Sequence, residues 1–131
     1  MEPPPVYHFR RPNKYNARQV TIDGYTFDSQ AEAARYRELL ILEKAGEISN
    51  LQVHTVWELL PPFRRGKKRY RGIYYEVDFD YLEKGQRVAE DVKGFATAVF
   101  RLKEKMFRYK YPDVELRVVK YFRNKEADEW S

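Results

Sequence analysis

Three side chains near the middle of the 131-residue chain are of types that, held together, can hydrolyse a phosphodiester: Asp78, Asp91 and Lys93. Asp78 belongs to the run Glu76-Val77-Asp78-Phe79-Asp80, and the other two to Ala89-Glu90-Asp91-Val92-Lys93-Gly94. In the first run, Ile73, Tyr75, Val77, Phe79 and Tyr81 alternate with Tyr74, Glu76, Asp78 and Asp80, the period of a half-buried strand. In the second, Ala89, Asp91 and Lys93 share one face, and Val88, Glu90 and Val92 the other. Glu83-Lys84-Gly85-Gln86 can turn the chain back, so the two strands are expected to pair as a hairpin and bring the three polar groups to one face. Two carboxylates about 4 Å apart repel by roughly 4 kcal/mol at an effective dielectric near 20, so such a pair calls for a cation between them. Mg²⁺ suits it, since it takes few carboxylates and keeps several waters. A lysine two residues past the second acid sets an ammonium beside one of those waters, an arrangement able to polarise a phosphodiester and activate water.

In this order the residues resemble the PD-(D/E)XK nuclease superfamily, with Asp78 as the first acid and Asp91-Val92-Lys93 as the D-x-K element. Val77, not proline, precedes Asp78, a departure that many superfamily members share. D-x-K alone is a weak signal in a Lys-rich chain. The ordered set of a helix, three strands with acids in the second and third, then a basic helix carries more. The runs Phe27-Asp28-Ser29-Gln30-Ala31-Glu32, Glu90 to Phe95, and Lys105 to Pro112 are similar to a phage-encoded family within the superfamily, and the match covers nearly the whole chain.

The resemblance implies an α/β, restriction-endonuclease-like αβββαβ core: a mixed sheet with flanking helices, here preceded by a small β-ribbon. It implies a DNA endonuclease using Mg²⁺, with Mn²⁺ able to substitute. Asp78, Asp91 and the backbone carbonyl of Val92 would be the metal ligands, and Lys93 would orient or deprotonate the attacking water. Glu32, on the first helix, would hold a second metal or a metal-bound water. The small one-domain build and phage likeness point to branched DNA such as a Holliday junction. A symmetric junction needs two incisions, hence a homodimer, working in the cytoplasm of a bacterial host.

The elements that must position these groups are legible along the chain. Residues 1–18 are expected to form a partly flexible arm, Pro-rich at its start. Its Arg10 and Arg11 lie among aromatics, either along a phosphate backbone or on a terminus docked by those rings. Asp23-Gly24, between Val20-Thr21-Ile22 and Tyr25-Thr26-Phe27, is a hairpin signal. A helix is expected from Ser29 to Ala45, stopped by Gly46, with Ala31, Leu39, Leu42 and Ala45 at helical spacing. Ser29-x-x-Glu32 is also a capping box, so Glu32 has a structural reading beside the metal one.

A single strand is expected from Ser49 to Leu60, with Leu51, Val53, Thr55, Trp57 and Leu59 on one face and His54 on the mixed face, where it reads as a surface or hydrogen-bonded residue. After Pro61-Pro62, the loop Arg64-Arg65-Gly66-Lys67-Lys68-Arg69-Tyr70-Arg71 carries six basic residues in eight. The run reads either as a solvated hairpin loop or, since like charges so dense repel until a polyanion screens them, as a phosphate-contacting loop. The second is favoured, making Arg64, Arg65, Lys67, Lys68, Arg69 and Arg71 expected phosphate contacts. A second helix runs to about Tyr111, with Val99, Leu102, Met106 and Tyr109 as its apolar stripe and Arg101 and Lys105 facing DNA or solvent. Val114 to Phe122 reads as the last strand, and 123–131 as a charged tail.

The length suits one domain, 1–131, and 43% hydrophobic residues favour a folded core over disorder. The net charge of +5 favours a polyanionic partner. With no cysteine, disulfides and thiol chemistry are excluded. No apolar run reaches membrane-spanning length, so a soluble intracellular protein with no membrane partner is expected. Asp80 shares a face with Asp78 and is a candidate accessory acid, whereas Glu90 lies on the opposite face and reads as structural. The competing reading is a non-catalytic module for single-stranded or structured nucleic acid, since 2 Trp, 11 Tyr and 8 Phe interleave with basic residues. Most of those aromatics, however, occupy core-facing strand positions.

Overall fold

The computed structural model describes residues 19–123 and 128–130, so the arm carrying Arg10 and Arg11 lies outside the described residues. The chain opens on β1 (Val20–Ile22) and β2 (Tyr25–Phe27), an antiparallel ribbon. Its turn residues Asp23 and Gly24 both have positive φ, at 54° and 82°, which matches the right-handed twist of the flanking strands. α1 (Gln30–Lys44) follows. Ser29 Oγ accepts from Glu32 N at 3.1 Å and caps the helix, and Gly46, at φ 81°, ends it in the left-handed region.

The strand expected from Ser49 to Leu60 is two strands, β3 (Ser49–Val53) and β4 (Val56–Leu60). Likewise β7 (Ile73–Glu76) and β8 (Phe79–Glu83) replace one continuous strand. The two interruptions face each other: His54 N donates to Asp78 O, and Val77 N to Thr55 O, each at 2.9 Å. His54 has φ 57°, so the chain swings away there, and β4 pairs with β7 while β3 pairs with β8. The bend breaks the simple alternation. Tyr75 and Val77 fall in one core, and Phe79 and Tyr81 in the other, rather than on a common face. Val53 to Trp57 are buried in succession for the same reason.

Between β4 and β7, the basic loop is a small antiparallel hairpin, β5 (Phe63–Arg65) and β6 (Lys68–Tyr70). β8 turns at Lys84-Gly85, both with positive φ, into β9 (Gln86–Lys93). α2 (Ala98–Lys110) then crosses over to β10 (Glu115–Arg123), which is parallel to β9. Part of the expected tail is a further strand, β11 (Asp128–Trp130), antiparallel to β10. The main sheet runs β11-β10-β9-β8-β3.

Alternation along β9 divides the interior. Val88 and Val92 pack with Ala31, Ala33, Tyr36 and Leu39 of α1, while Ala89 packs with Phe100 and Phe107 of α2. The result is a mixed α/β fold with a helix on each face of the sheet. α2 is rotated from its expected setting. Phe100 and Phe107 are buried, and Trp57 meets Phe107 edge-on at 4.9 Å between ring centroids. Val99, Leu102 and Tyr109 are instead 61%, 59% and 89% exposed. One residue along a helix is about 100° of rotation, and two buried Phe rings outweigh the smaller side chains beside them. No described helix is long and apolar enough to cross a membrane.

Candidate functional site

The paired bends and the β8–β9 hairpin bring the two acids together. Phe79 pairs with Glu90, and one step further along Asp78 meets Asp91, both fully buried. Asp78 Oδ2 accepts from Val92 N at 2.7 Å, so the backbone of β9 fixes the first acid. Asp91 Oδ2 accepts from the Tyr75 hydroxyl at 2.7 Å and lies 3.3 Å from Lys93 Nζ. Asp91 Oδ1 is buried and accepts no hydrogen bond among the described residues. Lys93 sits at the open end of the group, its side chain 29% exposed and its Nζ 4.8 Å from the Phe100 ring centroid.

The electrostatics follow from this crowding. Burial holds the Asp91 carboxyl well above the usual carboxylate range, and the Asp78 charge pushes it further. Two ionised carboxylates cannot hydrogen-bond to each other, but a proton between them can, and that bond raises Asp91 again. Lys93 and the Tyr75 hydroxyl pull the other way. Tyr75 is itself raised by burial and by Asp91, so it remains a donor. Tyr75 and Phe100 were not expected at the site. Alternation puts Tyr75 with the core residues of its strand, and only the bend after Glu76 turns its hydroxyl to Asp91.

The remaining candidates are placed as follows. Glu32 Oε2 accepts from Asp28 N at 2.8 Å while Ser29 Oγ accepts from Glu32 N, so Glu32 serves the helix cap. Among the described residues, no group of three or more His, Cys, Asp or Glu side chains is placed to hold a metal ion. Asp80 is not turned to the acid pair: Arg87 binds it at 3.0 and 2.6 Å while stacking on Trp57, 4.4 Å from its ring. Glu90 faces α1, where Arg35 grips it at 2.6 and 2.9 Å and the Tyr81 hydroxyl donates to it at 2.7 Å. Burial of such a pair is tolerated because every carboxylate oxygen has a donor. His54 is buried against Phe27 rather than at the surface.

The β5–β6 hairpin is exposed along its whole length. Phe63 and Tyr70 stack across it at 4.8 Å and 6°, and Lys68 Nζ lies 5.0 Å from the Tyr70 ring. Among the described residues, Arg64, Arg65, Lys67, Lys68, Arg69 and Arg71 form no ion pair with any described acid. Arg101 and Lys105 are likewise exposed on α2.

Fold and site thus define a mixed α/β protein with a buried acid pair, an adjoining lysine and a basic hairpin. The chain belongs to the family described as "Protein of unknown function (DUF1064)", whose model matches residues 12–126. No curated protein and no solved structure matches it.

Proposed function

We propose that this chain is a metal-dependent DNA endonuclease of the PD-(D/E)XK type, selective for branched DNA such as Holliday junctions. The observation that carries the reading is Asp91: it is buried beside Asp78, its carboxyl is driven up by burial and further by that neighbour's charge, and Lys93 stands 3.3 Å away. Such a pair holds either a proton or a cation. A cation would take the place of the proton shared by the two carboxylates, beside an Asp91 Oδ1 that is buried and receives no N–H or O–H from the described residues. Asp78, Asp91 and the Val92 carbonyl would be the groups to hold Mg²⁺ or Mn²⁺, which would polarise the phosphodiester and make a bound water more acidic. The finer fold assignment draws support from the order of α1, the antiparallel strands β3, β8 and β9, the crossover α2 and parallel β10.

The chain's own residues have defined work in this reading. Val92 N–H and the Tyr75 hydroxyl hold Asp78 and Asp91 in place. Lys93, as an ammonium, donates to the attacking water and balances charge gathering on the phosphate oxygens. Glu32 contributes through the α1 cap, or as an accessory ligand if α1 shifts toward the acids. The exposed hairpin, with Arg10, Arg11, Arg101 and Lys105, would follow the phosphates, which positions DNA without reading its sequence. Cutting a four-way junction symmetrically needs two such sites, so the working form would be a homodimer.

The exposed Phe63–Tyr70 stack favours a second reading, a module that binds nucleic acid without cutting it. The test is incubation with junction, continuous duplex and single-stranded DNA, with Mg²⁺ and with chelator. Metal-dependent nicks at the branch are expected. Binding without cleavage in any metal would leave only the second reading.

The hairpin carries its own prediction. Neutralising Arg65, Lys67 and Lys68 together should weaken duplex binding and flatten the plot of log affinity against log salt by about 0.9 for each phosphate no longer neutralised. Binding titrations at several salt concentrations measure it. An unchanged slope would mean that the hairpin is solvated and does not touch DNA.

A further inference from the structure

The rotation of α2 leaves an apolar face that no described element covers. Phe95, between β9 and α2, is 81% exposed, and Val99 and Leu102 of α2 are exposed as well. Phe95, Ala96, Ala98, Arg101, Leu102 and Lys105 line a shallow depression of about 520 Å³, within the range of small-molecule and base-sized sites. Its two charged residues are both cationic, and neither forms an ion pair among the described residues. Phe95 follows Lys93 by two residues in the chain, which ties the depression to the acid pair through the backbone, while Phe100 lies on the inner side of α2 beneath Lys93.

We propose that this depression takes an unpaired DNA base, stacked on Phe95 and packed against Leu102, with Arg101 and Lys105 on the flanking phosphates. The proposal rests on the nuclease reading and adds the feature that would make the site prefer branches to continuous duplex. A base in duplex stack has no free face, whereas one beside a branch point does. Exposed aromatics flanked by cations are the usual platform for such a base. Charge decides against the other occupant of an apolar face, a second copy of this chain. A two-fold contact centred here would set Arg101 and Lys105 against their own copies with no acid in the patch to meet them.

The experiment uses the full chain in chelator, so that binding is read without cleavage. The probes are a branched DNA with 2-aminopurine in the unpaired position nearest the branch, and a continuous duplex of equal length. Wild type is expected to bind the branched DNA more tightly and to quench the fluorophore. Because Phe95 is exposed, Phe95→Ala should fold normally. It should lose the quench, and the preference for branched over continuous DNA should fall about tenfold, the scale of one stacked base. Leu102→Asp should do the same, while Phe95→Trp should retain both signals. An unchanged preference and quench in Phe95→Ala would overturn the proposal. So would a wild-type dimer that Phe95→Ala makes monomeric with DNA binding intact, which would assign the face to self-association. Cleavage by wild type in Mg²⁺ is scored separately. Normal cutting with no Phe95 effect sinks this inference alone, and quenching without cutting sinks the nuclease reading alone.

Discussion

Lys93→Ala is expected to cut the rate of DNA cleavage by about 100- to 10,000-fold, the usual contribution of a positioned proton-transfer or charge-stabilising side chain. DNA affinity in chelator should hardly change, since the exposed cations of the hairpin and of α2 are untouched. The geometry behind the expectation is specific. Lys93 Nζ lies between the Asp91 carboxylate, at 3.3 Å, and the Phe100 ring, at 4.8 Å. Both hold an ammonium in place, one by charge and one by the negative face of the ring. Lys93→Arg separates two roles. It keeps a positive charge but, with a pKa above about 12, cannot surrender a proton near neutrality. Substantial activity in Lys93→Arg would mark charge stabilisation as the main role, and equal loss in both variants would mark proton transfer or the compact shape of the ammonium. Lys93 also lowers the affinity of Asp91 for its proton. Residual cleavage by Lys93→Ala should therefore need higher pH, a displacement that a lysine serving only DNA affinity would not cause. Turnover near wild type in the pure variant would remove Lys93 from the chemistry.

The site's core was legible in the sequence because β9 is regular. Paired on both sides, it obeys strict alternation, so Asp91 and Lys93 fall on one face and Glu90 on the other, as spacing alone requires. The tight turns were legible too, since Asp23-Gly24 and Lys84-Gly85 need positive φ and carry a glycine for it. The bends at His54 and Asp78 carry no such mark. His54 takes φ 57° without being glycine, and the reason lies 24 residues away in sequence, in the hydrogen bonds that join the two bends. Periodicity read through them therefore merged β3 with β4 and β7 with β8, and it missed Tyr75 as the partner of Asp91. α2 failed for another reason. Both of its sides are apolar, with Phe100 and Phe107 on one and Val99 and Leu102 on the other, so periodicity offered two stripes. Packing against Trp57 chose the aromatic one. Neither was β11 legible, because a short edge strand in a charged tail has too few apolar residues to show a period.

In the metal-free protein, Asp91→Asn should be at least as stable as wild type near neutral pH, and its advantage should grow as pH rises. The sign follows from the direction of the Asp91 shift. Its carboxyl holds a proton more tightly in the folded chain than in the unfolded one, where it titrates near about 3.9. A group raised in this way contributes stability that is complete below the unfolded value and is lost as pH climbs to the folded one. The difference between variant and wild type isolates that contribution from every other carboxylate. It should widen by up to about 1.4 kcal/mol per pH unit until the folded value is passed, and then level off. Asparagine suits the comparison: its Oδ1 can still accept from Tyr75, and its amide can donate toward Asp78 as the shared proton would. The loss of the partly exposed Lys93 ion pair is a small opposing effect. Metal should reverse the order. Mg²⁺ or Mn²⁺ at a hundredfold excess over its dissociation constant should stabilise wild type by about 2.7 kcal/mol, and the variant should lose most of that gain. Urea unfolding of both proteins between about pH 5 and pH 8, in chelator and then across a metal titration, measures both effects. If Asp91 were instead an ordinary salt-bridge partner of Lys93, removing its charge would strand the lysine and lower stability throughout that pH range, with no gain for the variant as pH rises. That result, together with a wild type indifferent to metal, would mean that Asp78 and Asp91 bind no cation.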